Sequence, residues 1–268
     1  MPALLQPADL TAYLARATAA EIEFGRLFRA DEPLVICDIG ACEGEDTVRY
    51  ARAYPRARVF AFEALPANQE LVRANLTRHA VPNVELVPLA LSDRTGEAVF
   101  HVSSGRPPEL FAGENWNYGN KSSSLLAPAS AGPMHGWIEF KEAITVPTGT
   151  LDAFCTQRGL THIDFIQMDV QGAEQRVLTG AVAMLPHITS IWLEVSDREH
   201  YRGQTLAADI TRFMRDHGFQ LAHSVYLGEA TGEGDHLYLN LRHPRTWPYA
   251  ATRRLRATAG RIKRALLS

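Results

Sequence analysis

Only 3 cysteines occur in the 268 residues, at positions 37, 42 and 155. An odd, sparse set without paired spacing excludes a disulfide framework and a cysteine-built metal site, and fits a reducing compartment, so the cytoplasm is the expected location. Long apolar runs are also missing. None approaches the roughly 20 residues needed to cross a bilayer, and the N-terminus lacks a basic stretch leading into an apolar core. No integral membrane segment is therefore expected. Nor does one sign of charge dominate: 27 Lys and Arg stand against 30 Asp and Glu, a net charge of -3. That balance gives no general attraction to nucleic acid or anionic lipid, and no nucleic-acid partner is expected.

What remains is an ordinary globular composition, 46% hydrophobic and 21% charged, long enough to bury a full α/β core. Residues 8–29 place Leu10, Leu14, Ile22 and Leu27 at about helical spacing, which predicts an amphipathic helix ended by Pro33. Apolar, β-branched runs then alternate with helical stretches: strand 34–39, helix 46–54, strand 59–63, helix 66–78, strand 84–88. The alternation resumes as strand 163–169, helix 173–185, strand 188–195, helix 206–217, and strands 220–227 and 236–241. Such alternation implies a parallel sheet. The last two strands are joined by the Gly-rich link 228–234, too short for a helix, so the final strand must return antiparallel. Six parallel strands closed by one reversed strand is the order of a class I methyltransferase, a Rossmann-like α/β fold with a seven-stranded mixed sheet. Between its halves, 98–102 and 143–146 read as an added strand pair flanking a Gly/Pro/Ser/Trp-rich segment, 104–140, expected to be a lid or substrate insertion. The expected organisation is an N-terminal helix (1–30), one core domain (31–242) containing that insertion, and a basic tail or helix (243–268).

The loop Asp38-Ile-Gly-Ala-Cys-Glu-Gly44 joins a strand to a helix and puts Gly40 and Gly44 where backbone must approach a ligand at the carboxyl edge of the first strand. Glycine spacing alone suits two cofactor classes. The acids Asp38, Glu43, Glu45 and Asp46 separate them, because they crowd the place where a dinucleotide would lay its anionic pyrophosphate. One like-charge contact at ~4 Å costs roughly 1 kcal/mol in water and more near a protein surface. S-adenosylmethionine, which carries a sulfonium and an ammonium, meets no such repulsion. Glu63 closes the second strand, where a carboxylate can accept hydrogen bonds from ribose hydroxyls.

The chain resembles the FkbM family of methyltransferases. The resemblance is carried by the loop at 38–44, Phe60-Ala-Phe-Glu-Ala-Leu-Pro66, Leu89-Ala-Leu-Ser-Asp93, Ser122-Ser-Ser-Leu125, Thr150-Leu-Asp152, Asp169-Val-Gln-Gly-Ala-Glu174 and Trp192-Leu-Glu194, over about residues 34–242. It implies an O-methyltransferase acting on a sugar, glycan or secondary metabolite. It also implies that Asp38, Gly40 and Gly44 bind the methionine part of S-adenosylmethionine, Glu63 the ribose, and Ser92 with Asp93 the adenine. At Gln171 the chain departs from the family, which has an acid there.

Ligands of open α/β sheets sit at the carboxyl ends of the strands. Asp169 and Glu194 end two of them, and Asp235-His236, at the start of a reversed strand, falls on the same edge. Methyl transfer from a sulfonium requires an oriented acceptor hydroxyl and removal of its proton. His236 suits base work near neutral pH; Asp169 or Glu194 is the alternative base, or orients the imidazole. A second arrangement has Asp169, Glu194 and Asp235 hold Mg2+ against the acceptor hydroxyls. Glu174 reads as a helix-start acid. In the insertion, Trp116, Lys121, Ser122, Ser123, Ser124 and Trp137 are candidates for gripping a polar ring, as are His200 and Tyr201. The tail carries Arg242, Arg245, Arg253, Arg254, Arg256, Arg261, Lys263 and Arg264. It is expected to pack on its own domain, with a homo-oligomer or surface contact as the alternative. A nicotinamide-dependent oxidoreductase or epimerase, and a non-catalytic cofactor-binding protein, are the rival readings.

Overall fold

The computed structural model describes residues 5–108, 116–129, 136–226 and 231–248. Its elements are α1 (Thr11–Leu14), α2 (Ala19–Gly25), β1 (Val35–Ile39), α3 (Glu45–Ala53), β2 (Arg58–Phe62), α4 (Pro66–Arg78), β3 (Val84–Val87), β4 (Ala90–Leu91), β5 (Gly96–Ser104), β6 (Glu139–Gly149), α5 (Leu151–Arg158), β7 (Ile163–Met168), α6 (Glu174–Thr179), β8 (Ile188–Ser196), α7 (Ala207–Asp216), β9 (Phe219–Tyr226) and β10 (Glu233–Asn240).

The main sheet has seven strands in the order β3-β2-β1-β7-β8-β10-β9. Neighbours from β3 to β8 run parallel, and β10 lies antiparallel between β8 and β9. This is the class I methyltransferase order, with the last strand reversed as the short link demanded. The added pair forms a separate sheet, β4-β6-β5.

Alternation along the strands gives the sheet two dry faces. Cys37, Ile39, Ile166, Met168 and Leu193 meet α5, α6 and α7 on one side. On the other, Ile36, Phe165, Trp192 and Leu237 meet α2 and α3. Phe24 of α2 stacks on Phe165 with ring centroids 4.4 Å apart. Both rings are fully buried, and each burial is worth roughly 1.5–3 kcal/mol.

Three elements differ from expectation. The N-terminal helix is broken in two: Thr18 restarts it by accepting a hydrogen bond from Glu21 N, and the Arg49 guanidinium donates to the Arg16 and Tyr13 carbonyls at the break. The helix expected over 173–185 stops at Thr179. The Asp152 carboxylate takes the N–H groups of Ala183 and Met184, at 2.9 and 2.8 Å, which a longer helix would have used internally. Finally, α5 carries no strong sequence signal, but Thr150 caps its start and Gly159 its end in the left-handed region. Of the expected tail, residues 249–268 lie outside the described residues. Arg245, just before them, pairs with Glu32 at 2.6 Å. No helix among the described residues is long and apolar enough to cross a membrane.

Candidate active site

The loop after β1 passes under the end of β7. Gly40 has φ +88, and a Cβ there would lie 1.8 Å from the Asp169 carbonyl oxygen. This close approach is made by the protein's own backbone, where the sequence suggested a ligand. Gly44, φ +82, begins α3. Cys42 is a non-glycine residue at φ 52, held there because its N–H donates to Glu63 at 2.8 Å. The other Glu63 oxygen accepts from Leu65 N, also at 2.8 Å. Burial pushes the Glu63 carboxyl up to about 7 despite these bonds. Burial, reinforced by Asp46, pushes Asp38 up to about 8, although Thr47 donates to it.

The other loop acids have protein partners. Glu43 accepts from Asn120 Nδ2 at 3.1 Å, and Lys121 pairs with Glu45 and, at 3.8 Å, with Glu43. Asp46 accepts from Tyr13 at 2.9 Å. Burial opposes the Lys121 charge, but Cys42, Glu45 and Glu43 around it hold its pKa above the ordinary lysine value. These carboxylates therefore clamp the N-terminal segment and the insertion onto the loop.

A cleft of about 540 Å³, counted to its open mouth, runs along these elements. Gly40, Cys42, Glu63 and Asn68 line one part, and Leu89, Ala90, Leu91, Phe100 and Leu125 form apolar walls. Lys121, Asp169 and Gln171 line it as well, Asp169 beside Gly40. Asp38 and Gly44 stand behind this lining. Ser92 and Asp93 also fall outside it: Ser92 N donates to Gly149 O at 2.8 Å, its carbonyl abuts Gly180, and its hydroxyl bonds Asp93 at 3.0 Å.

Beyond β7 the turn at Gln171, φ 55, sends its side chain back over the strand ends. Gln171 Nε2 donates to Asp169 at 2.7 Å and to Glu194 at 3.0 Å, while its Oε1 accepts from Tyr201 at 2.8 Å. Asp169 is exposed to the cleft, and desolvation by the walls around it raises its carboxyl. Burial and the neighbouring Asp169 raise Glu194 well above the ordinary carboxylate range. Asp235 pairs across from Glu194 in the sheet, and burial, with Asp169, pushes it up to about 7. Glu174 accepts from the N–H groups of Val170 and Gly172, so it shapes this turn.

His236 does not join these acids. It pairs with Leu193, and alternation puts its ring on the opposite face of the sheet. There Nδ1 lies 2.9 Å from the Tyr238 hydroxyl, and burial lowers its pKa. The expected cation site is not formed either. Among the described residues no group of three or more His, Cys, Asp or Glu is disposed to hold a metal ion, and the Gln171 amide, a donor, occupies the bridge between Asp169 and Glu194.

The insertion's serines bond the protein itself: Ser123 accepts from Ser103 N at 3.0 Å, and Ser124 donates to the Gln171 carbonyl at 2.7 Å. Trp116 lies under the Lys121 ammonium, 4.5 Å from its centroid. A smaller, shallow cleft, about 260 Å³ counted to its open mouth, lies beyond Gln171, lined by Ser122, Ile138, Phe140, His200, Tyr201 and Glu233 as well. Glu233 is not among the sequence candidates. The available signal is its spacing of two from Asp235, which puts both on one face once β10 starts at Glu233.

A model of the methyltransferase FkbM domain matches residues 38–221. The 2-O-methyltransferase NoeI of Sinorhizobium fredii is 36% identical over 170 residues, which cover 63% of this chain and 66% of NoeI. The 31-O-demethyl-FK506 methyltransferase FkbM of Streptomyces tacrolimicus is 27% identical over 198 residues, covering 69% of this chain and 72% of that protein. Among solved structures, M. capricolum TrmK in complex with S-adenosyl-homocysteine gives a TM-score of 0.47 at 7% identity, covering 85% of this chain and 70% of that one.

Proposed function

The chain belongs to the FkbM family of methyltransferases, and from that premise we propose that it transfers the methyl group of S-adenosylmethionine to a hydroxyl of a sugar, glycan or secondary metabolite. One observation supports this above the rest: a single cleft is lined by both Glu63 and Asp169, and Asp169 is tied to Glu194 through Gln171. The donor groups present suit the cofactor. Glu63 keeps a free lone pair on each oxygen for ribose hydroxyls. The apolar walls at Leu89–Leu91, Phe100 and Leu125 suit a flat adenine, with Ser92 and Asp93 one step behind them. Asp38 and Asp169 put carboxyls beside Gly40, and a sulfonium or ammonium there would favour their charged forms against the burial that raises them, whereas a diphosphate would not. Lys121 is the one cation among the described lining residues, and Glu45 already engages it.

When bound, the cofactor supplies a methyl group activated by its positive sulfur. Asp169, in the lining of the larger cleft, would accept the proton of the acceptor hydroxyl, and the methyl group would be what the bound cofactor supplies to that oxygen, the rest of the cofactor leaving as the neutral thioether. Gln171 orients Asp169, and Glu194 behind it favours the protonated product state. Ser122 and Ser124, in the described part of the insertion beside Gln171, then stand on the acceptor side of the site. The test is product analysis with methyl-labelled S-adenosylmethionine and a panel of monosaccharides and glycosides. Label in an alkali-stable methyl ether is expected; label in an ester or on nitrogen would contradict the reading.

A further inference from the structure

We infer that Lys121 and Asn68 form the subsite for the single carboxylate of S-adenosylmethionine and hold the amino-acid end of the cofactor against Cys42. The inference rests on the methyltransferase reading and adds to it the residues that recognise that end.

The family resemblance gives the methionine part to Asp38, Gly40 and Gly44. None of these carries a cationic side chain, and Asp38 and Gly44 lie outside the cleft lining. Glu63 and Asp169, which do line it, are acids. Lys121 is the one cation among the described lining residues, so a carboxylate bound in this cleft has one place to meet a charge of opposite sign.

Lys121 stands in the short helical turn Gly119–Ser122 and Asn68 in the first turn of α4. From these separate segments both reach Cys42: Lys121 Nζ lies 3.7 Å and Asn68 Nδ2 3.8 Å from its sulfur. All three line the cleft. Burial raises the Cys42 thiol well above its ordinary value, so the sulfur stays neutral, and a thiol is a weak acceptor. Asn68, only 2% exposed, otherwise donates to the Asn120 carbonyl at a long 3.4 Å. Two nitrogen donors thus converge on a partner that is poor for both. Of the three N–H groups of the Lys121 ammonium, Glu45 engages one, and Glu43 stands 3.8 Å away. Neither acid lines the cleft. The Trp116 ring, 4.5 Å from Nζ, holds the ammonium in place from the insertion. A carboxylate at this point offers each donor a charged acceptor. The Cys42 N–H binds Glu63 at 2.8 Å, so the ribose acceptor and the carboxylate subsite flank one residue, as the short chain joining ribose to carboxylate in the cofactor requires.

The test is calorimetric titration with S-adenosylhomocysteine and with decarboxylated S-adenosylhomocysteine, which lacks only the carboxylate, in the wild type, Lys121→Met and Glu45→Gln. The wild type should bind S-adenosylhomocysteine about 10- to 100-fold more tightly than the decarboxylated compound, as expected for hydrogen bonds between charged groups. Lys121→Met should weaken S-adenosylhomocysteine by about tenfold or more and leave the decarboxylated compound unchanged. Glu45→Gln breaks the same ion pair from its other side and should keep the preference, which separates carboxylate recognition from anchoring of the insertion. Should Lys121→Met not fold, the wild type and Glu45→Gln still decide. Equal affinity for the two compounds in the wild type, equal weakening of both in Lys121→Met, or loss of the preference in Glu45→Gln would overturn the inference. The two levels come apart in the wild type: tight binding of both compounds removes the subsite only, whereas binding of neither removes the cofactor reading beneath it.

Discussion

Replacing Asp169 by asparagine is expected to lower methyl transfer by about 10²- to 10⁴-fold while S-adenosylhomocysteine still binds. The substitution preserves shape, and the amide oxygen of the new side chain can still accept from Gln171, so the bridge to Glu194 survives. What disappears is the proton acceptor. In the wild type kcat/KM should climb with pH, because the base works only when deprotonated. The climb should lie above the ordinary carboxylate range, since desolvation raises the Asp169 carboxyl. The same profile separates the rival bases. Removing the Asp169 charge takes away the largest charge effect that raises Glu194. Were Glu194 the base, activity would persist in Asp169→Asn with its climb moved to lower pH. Were the buried His236 the base, the variant would keep most of its activity. Loss at every pH is the predicted outcome. Transfer that disappears while cofactor binding remains would also exclude a purely cofactor-binding role.

Gly40→Ala should lower both stability and turnover. Its φ of +88 costs an L-residue about 1–3 kcal/mol. A methyl group 1.8 Å from the Asp169 carbonyl oxygen forces β7 away, at a further cost of about 1–3 kcal/mol. Asp169 N is hydrogen-bonded to Ile39 O at 2.9 Å, so the strand end and the proposed base move together. A loss of roughly 5–15 °C in Tm follows for a chain of this size, with turnover down about 100-fold from the displaced carboxylate. Gly159→Ala is the control: it shares a positive φ, +62, but has nothing within 4 Å of the added methyl. Calorimetric scans of the two variants separate backbone strain from collision. Equal losses would show that the crossing under β7 does not constrain position 40.

The sheet was legible because each strand carries its own period and each connection its own length. The link at 228–234 is too short for a helix, which required the reversed β10. The helix expected over 173–185 is shorter than its apolar spacing implies because its end is set by Asp152, a residue distant in sequence that captures two N–H groups. The site was legible in place more than in partnership. Asp169 and Glu194 meet through Gln171, and Asp235 lies opposite Glu194 in the sheet. His236 does not join them, because a shift of one residue along a strand changes the face, and position 236 shares its face with Tyr238. The loop acids pointed to a site averse to anions, yet several of them bond Lys121, Asn120 and Tyr13, residues whose approach no local pattern encodes. Gln171 stood out as a departure from the family. Only the turn geometry showed that it replaces a carboxylate with a donor and so links two acids that would otherwise repel.

The central claim is that the cleft from Gly40 through Glu63 to Asp169 is built for S-adenosylmethionine. Calorimetric titration with S-adenosylhomocysteine and, separately, with NAD tests it most directly. The predicted result is saturable binding of S-adenosylhomocysteine, weakened about tenfold or more in Glu63→Gln by the loss of a charged hydrogen-bond acceptor, and no binding of NAD. Binding of NAD without S-adenosylhomocysteine, or S-adenosylhomocysteine binding indifferent to Glu63, would contradict it.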